Sequence, residues 1–172
     1  MVVERGTGAL FILSGPTDSG KTTALNKLVG EARRSGTAVA GILSHKIFQK
    51  SEFVGYDIEL LASGIQLPLA RLQQQPETIA RGRFHFFPIV FSSLLTELST
   101  PAPALFLLDE IGPLELSGGG FAPYLKQVLA LTMTHLLVVR KQCLEDFLFR
   151  FKLQPRDIIT DYSRLGVLLA TC

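Results

Sequence analysis

Ten residues, "SGPTDSGKTT" from Ser14 to Thr23, set one lysine among small and hydroxylated neighbours. Their spacing, Gly15-x-x-x-x-Gly20-Lys21-Thr22, fits the phosphate-binding pattern G-x-x-x-x-G-K-[ST]. Each residue type has a physical task. Small residues let backbone N–H groups turn inward around phosphate oxygens, and a helix starting here adds the positive end of its dipole. On this reading Gly15, Pro16, Thr17, Asp18, Ser19, Gly20, Lys21, Thr22 and Thr23 form a nucleotide cradle. Lys21 would reach the β- and γ-phosphates as a point charge. The Thr22 hydroxyl would hold Mg²⁺, an ion that takes few protein ligands and prefers phosphate and water.

A second chemical pair closes the run "ALFLLDE", residues 104–110. A continuous apolar run ending in two acids is the pattern of a central parallel strand with carboxylates at its end. Asp109 is the candidate for the magnesium shell. Glu110 is the candidate to orient or deprotonate an attacking water. Together the two motifs predict a nucleoside triphosphate, ATP or GTP, as ligand. The guanine-specifying N-K-x-D element is absent after "HLLVV", where Arg140-Lys141-Gln142-Cys143 stands. That argues against a Ras-like GTPase without choosing ATP.

These residues need a frame. A chain of 172 residues is long enough for one well-buried domain, expected to span 1–172. With 47% apolar and 19% charged residues it has the composition of a globular α/β protein. A formal net charge of +2 and short basic pairs give no phosphate-backbone stripe, so no nucleic acid is expected. Arg33-Arg34 reads as a solvated helix end. Two cysteines, Cys143 and Cys172, make neither a disulfide framework nor a zinc site. No apolar run approaches the ~20 residues of a membrane helix. A cytoplasmic protein, away from membranes, is the expectation.

Apolar patterning supplies the elements. Residues 9–14 read as a buried strand. Leu25, Leu28, Val29 and Ala32 form a helical stripe that should stop near Ser35-Gly36. Strands are expected at Thr37–Ser44 and, with a hairpin turn or ordered loop before it, at 52–61. Residues 62–83, with Gly64, Pro68 and Arg81-Gly82-Arg83, read as an irregular excursion that would order only around a bound nucleotide. A helix should start at Pro88, another run from about Gly120 to Leu131, and a third carry Leu144, Phe147, Leu148 and Phe151. "THLLVVR" and Gly166–Ala170 are the remaining expected strands. Alternating β and α elements with buried strands predict an open, mostly parallel sheet with helices on both faces, binding its ligand at the carboxyl ends of the strands.

With "GILSHKIFQKSEFVGYDIELLASG" and "LLDEIGPLELSGGGF", the loop resembles the small P-loop nucleoside-triphosphatase family over roughly residues 10–130. That family pairs a GKTT loop with G-F/Y-D-I and D-E-I-G-x-x-E-L. Here these are Gly20 to Thr23, Gly55 to Ile58, and Asp109 to Gly112 with Glu115-Leu116, and Phe121 matches a family phenylalanine. The resemblance implies a RecA-like fold and slow, base-tolerant, Mg²⁺-dependent hydrolysis. The sequence departs from the family pattern at Ser44-His45-Lys46-Ile47-Phe48, where the family has T-E-E-V-R, and at Phe53, near a family arginine. If those arginines stabilise the transferring phosphate, Arg81, Arg83 and Arg140 are candidate substitutes, with Arg140 at a strand end preferred. His45 reads as a loop histidine; His85 and His135 have no metal spacing. Two alternatives stay open: a small P-loop kinase, and a nucleotide-binding adaptor or switch with weak turnover and an unidentified protein partner.

Overall fold

The computed structural model describes residues 8–16, 19–98 and 103–171. Thr17, Asp18 and Cys172 lie outside the described residues. Along the chain run β1 (Leu10–Gly15), α1 (Lys21–Ser35), β2 (Val39–Gln49), β3 (Glu52–Leu60), β4 (Gln66–Arg71), β5 (Ile79–Arg81), β6 (Phe84–Phe86) and α2 (Ile89–Ser92). There follow β7 (Leu105–Ile111), α3 (Pro113–Leu116), α4 (Ala122–Leu129), β8 (Thr134–Arg140), α5 (Leu144–Phe151) and β9 (Asp157–Ile159). Segments of 3-10 helix cover Ser93–Leu98, Lys141–Cys143 and Tyr162–Thr171.

All nine strands belong to one sheet, in the order β5-β6-β4-β3-β2-β7-β8-β1-β9. From β2 to β9 every pairing is parallel. Beyond β2 the sheet continues as an antiparallel extension of four strands. β1, β7 and β8 are buried on both sides, which is why their sequences are continuously apolar rather than alternating. Leu10, Ile12, Phe106, Leu108, Leu137 and Val139 face one core, covered by α2, α4 and α5. Their neighbours Phe11, Leu13, Leu105, Leu107, Leu136 and Val138 face the other, covered by α1 and the last 3-10 segment. The period of two in the strands thus separates two hydrophobic layers. On α1 the stripe Leu25, Leu28, Val29 and Ala32 is fully inside, and the helix stops at Gly36 as expected.

Register aligns the functional rim. Gly15 lies beside Arg140, and Ile111 beside Val139, so β1, β7 and β8 end together.

Several expectations need correction. Residues 62–83 are not an irregular excursion: they hold β4, β5 and the turn into β6, paired into the sheet. Their glycines are turn points between short strands; Gly82-Arg83 forms a two-residue hairpin with Gly82 at φ 58°. Gly166–Ala170 is not a strand. Leu165 and Leu168, three apart, bury one face of a 3-10 segment against α1. The terminal strand is Asp157–Ile159 instead. β2 runs on to Gln49, and the helix at Pro88 is one turn continued as 3-10. The short α3 was not anticipated.

Candidate functional site

The loop between β1 and α1 is closed by two glycines with distinct reasons. Gly20 caps α1 at φ 89°, a left-handed conformation that favours glycine. At Gly15 a Cβ would sit 2.1 Å from the Tyr162 hydroxyl, so any side chain there would have to displace Tyr162. Tyr162 in turn hydrogen-bonds Ser19 Oγ at 2.5 Å, tying the last 3-10 segment to the loop. Lys21 Nζ donates to the carbonyls of Gly15 (3.2 Å) and Pro16.

A cleft of about 550 Å³ opens above this loop. Ser19 to Thr23 form one wall, Ser44, His45 and Lys46 from β2 another, and Glu110 and Arg140 stand across from them. The rim of parallel strands therefore brings Lys21, Thr22, Glu110 and Arg140 around one space.

Asp109 lies beneath that rim, only 2% exposed. One carboxylate oxygen, Oδ2, accepts the Ser44 N–H at 3.2 Å, and Oδ1 accepts the Glu110 N–H at 2.8 Å. Burial, with the charge of Glu110 adding to it, raises its pKa from 3.8 to about 7, against the two backbone hydrogen bonds and Lys21. Ser44 Oγ, buried beside it, has no hydrogen-bond partner among the described residues, nor has Ser14 Oγ at the end of β1. Together with the Thr22 hydroxyl these are hard oxygen donors, a set suited to a hard divalent cation. Among the described residues no cluster of three His, Cys, Asp or Glu side chains forms a metal site.

Glu110 has φ 66°, a left-handed conformation for a residue with a Cβ, at a register shift in the β7–β8 pairing. The bulge turns its side chain from the sheet toward the cleft. There Arg140 holds it: Nε and Nη2 both donate to Glu110 Oε2, at 3.1 and 2.7 Å. The pair is part-exposed, at 39% for Arg140 and 30% for Glu110. Glu115, the glutamate of the D-E-I-G-x-x-E-L segment, is buried and points elsewhere. Its carboxylate accepts the N–H groups of Gly112 (3.0 Å) and Phe121 (3.3 Å), pinning the loop after β7; burial raises its pKa.

Of the arginines weighed from sequence, Arg140 reaches Glu110 and Arg83 lines the cleft, whereas Arg81 lines only a neighbouring cavity. His45 does line the cleft, with Nε2 3.3 Å from Glu59 Oε2; Glu59 also accepts from Arg33 at 3.0 Å. His85 sits in β6, and the His135 ring lies buried with Nε2 2.9 Å from the Val128 carbonyl. Sequence reasoning missed Ser44 and Tyr162. Ser44 offered no signal beyond its place at a strand end. Tyr162 lies before the Gly166–Ala170 segment expected as a strand, and no motif marks it.

Similarity to known proteins agrees with this geometry. The chain is 29% identical over 136 residues to the cancer-related nucleoside-triphosphatase homolog of Bos taurus, covering 73% of this chain and 71% of that protein. It is 26% identical over 150 residues to nucleoside-triphosphatase THEP1 of Thermococcus kodakarensis, covering 80% and 79%. The fold superposes on the solution structure of a human cancer-related nucleoside triphosphatase with TM-score 0.70 at 23% identity, over 95% of this chain and 94% of that one. The architecture is the α/β P-loop NTPase fold. A sequence profile of the NTPase family matches residues 10–160, and the chain belongs to that family.

Proposed function

We propose that this chain is a cytoplasmic, single-domain hydrolase that cleaves nucleoside triphosphates, ATP or GTP among them, to diphosphate and phosphate, slowly, with loose base preference and with Mg²⁺. The observation that carries it is the convergence of Lys21, Thr22, Glu110 and Arg140 on one cleft above a buried Asp109. Names of relatives given as nucleoside-triphosphatases support the reaction class.

The residues fit magnesium: oxygen donors at Thr22 and Asp109, with the unpartnered Ser44 hydroxyl alongside. When bound, the ion neutralises charge on the β- and γ-phosphate oxygens. The chain supplies the rest. Backbone N–H groups of the loop, apart from Pro16 which has none, and of the start of α1 take the phosphates. Lys21 exchanges its contacts with the Gly15 and Pro16 carbonyls for phosphate oxygens. Glu110 orients the attacking water and accepts its proton. Arg140, already against Glu110, places its guanidinium where negative charge grows on the γ-phosphoryl group. It takes the place of the family arginine missing near Phe53.

Phosphate release from ATP, GTP, CTP and UTP with Mg²⁺ tests the reading. Release from several of them, absent in Lys21→Ala, is expected; wild type no faster than Lys21→Ala on all four would refute it.

A further inference from the structure

Beside the phosphate cleft lies a second cavity, of about 410 Å³. Its walls are rings: Tyr56, Phe84, Phe86, Phe91 and Phe121. They form a continuous packed series, with centroids 5.6 Å apart for Tyr56–Phe84, 6.1 Å for Phe84–Phe86, 6.1 Å for Phe86–Phe91 and 5.1 Å for Phe91–Phe121. Rings packed edge-on or tilted in this way hold one another at fixed positions; Phe91 and Phe121 are buried, and Tyr56, Phe84 and Phe86 are the part-exposed rings. The cavity is not purely apolar: Arg81, Arg83 and Arg140 line it, and so do Glu110, paired with Arg140, and Glu115, whose carboxylate is taken by the Gly112 and Phe121 N–H groups. Arg83 lies 5.0 Å from the Phe84 centroid and 5.9 Å from that of Phe53, and among the described residues no carboxylate pairs with it.

The cavity and the cleft share Tyr56, Arg83, Phe84, Glu110 and Arg140 as a common wall. Orientation follows from the loop. Its backbone amides take the α- and β-phosphates and its lysine the β- and γ-phosphates. The γ end therefore faces Glu110 and Arg140, and the nucleoside lies at the opposite end. The ringed cavity opens off the γ-phosphate, where a phosphoryl acceptor other than water would sit. The part-exposed rings call for a flat aromatic group, and unpaired guanidinium charge at the junction calls for an anion.

We propose that this cavity is an acceptor site for a nucleoside monophosphate, its base between the aromatic walls and its phosphate against Arg81 and Arg83, and that the protein transfers a γ-phosphoryl group to it. The proposal rests on the triphosphate reading above. An oxygen of the monophosphate attacks the γ-phosphorus. The bond from that phosphorus to the β–γ bridging oxygen breaks, and its electron pair leaves with the diphosphate. One triphosphate and one monophosphate become two diphosphates. No water is consumed, and the acceptor, with a second pKa of about 6, is already ionised at neutral pH.

The test offers γ-labelled ATP with Mg²⁺ and, in turn, AMP, GMP, CMP and UMP, and separates labelled diphosphate from labelled free phosphate. At least one monophosphate is expected to divert label into its own diphosphate. Ser117, exposed at the cavity mouth and not part of the phosphate cleft, provides the blocking variant. Ser117→Trp should lose transfer while releasing phosphate to water at the wild-type rate. Arg81→Ala should reduce transfer about tenfold or more, the loss of one charge-assisted hydrogen bond. Calorimetric titration of the four monophosphates without triphosphate separates the two readings: binding by wild type and not by Ser117→Trp is expected whatever the hydrolysis rate. Absence of binding overturns the site. Binding with all label passing to water, or transfer unchanged in Ser117→Trp, overturns the acceptor role.

Discussion

At Glu110 a strained backbone, a bulge and an arginine all act on one carboxylate. A residue with φ 66° stores on the order of 1–3 kcal/mol of local strain, which persists only where surrounding structure enforces it. Here the parallel pairing of β7 with β8 enforces it, and Arg140 holds the emerging side chain. Replacing Glu110 by Gln keeps shape and removes the proton acceptor, so turnover should fall about 10²–10⁴-fold with nucleotide binding retained. Arg140→Lys should not rescue Arg140→Ala, because an ammonium cannot reproduce the paired Nε and Nη2 contacts. Steady-state phosphate release by the three variants, beside equilibrium nucleotide binding, reads both effects. Asp109 gives a pH signature. Its folded pKa, about 7, lies above its ordinary 3.8, so folding disfavours the ionised form. Its contribution to stability is fully present below the ordinary value and lost as pH rises through about 7. The stability of wild type relative to Asp109→Asn should therefore decline between pH 4 and 7 and level off above that window, as read from urea unfolding at each pH. A difference independent of pH would contradict the burial argument.

Among the elements, the 3-10 segment Ser93–Leu98 reaches the sheet through one buried carboxylate. Glu97, 2% exposed, accepts the N–H groups of Gly41 (3.0 Å) and Ala62 (2.7 Å) on the same oxygen. It thereby anchors β2 and the exit of β3, which carry Ser44 and Tyr56 to the cleft. Glu97→Ala leaves the buried Gly41 N–H unpaired, and the part-buried Ala62 N–H without this acceptor, and should lower stability by about 1–3 kcal/mol, while Glu97→Gln keeps an acceptor and should recover most of it. Denaturant midpoints decide this. Legibility in the sequence followed period and length. α1, β1, β7, β8, α4 and α5 were readable because each has one apolar pattern, continuous for a strand covered on both faces and three-to-four spaced for a helix. The antiparallel extension was not readable. β5 and β6 have three residues each, too few for a period to emerge, and the Gly, Pro and Arg punctuation of β4 to β6 marks tight turns that look like a loop. The tail misled for a related reason: Gly166–Ala170 is apolar, but within it only Leu168 is buried, with Leu169 packed partly against the core.

For the molecule as a whole, the parallel half of the sheet explains why distant motifs meet. β1, β7 and β8 end in register, so a lysine near residue 20, a carboxylate near 110 and an arginine at 140 share one rim. The motif types were legible because phosphate chemistry tolerates few substitutes for them. Their geometry was not: that Arg140 would bind Glu110, or that Asp109 would lie under the rim rather than on it, depends on a bulge no spacing announces. The antiparallel half adds the second wall of the cleft and the ringed cavity beyond it, features the parallel half alone lacks.

The most direct test of the central claim is phosphate release from Mg²⁺-nucleotide by wild type, Lys21→Ala and Glu110→Gln side by side, with nucleotide binding measured on the same samples. Release by wild type is expected, with Glu110→Gln binding nucleotide but not turning it over and Lys21→Ala defective in both. Turnover by Glu110→Gln equal to wild type would contradict the assignment of water activation to Glu110, and equal release by all three would contradict hydrolysis at this cleft.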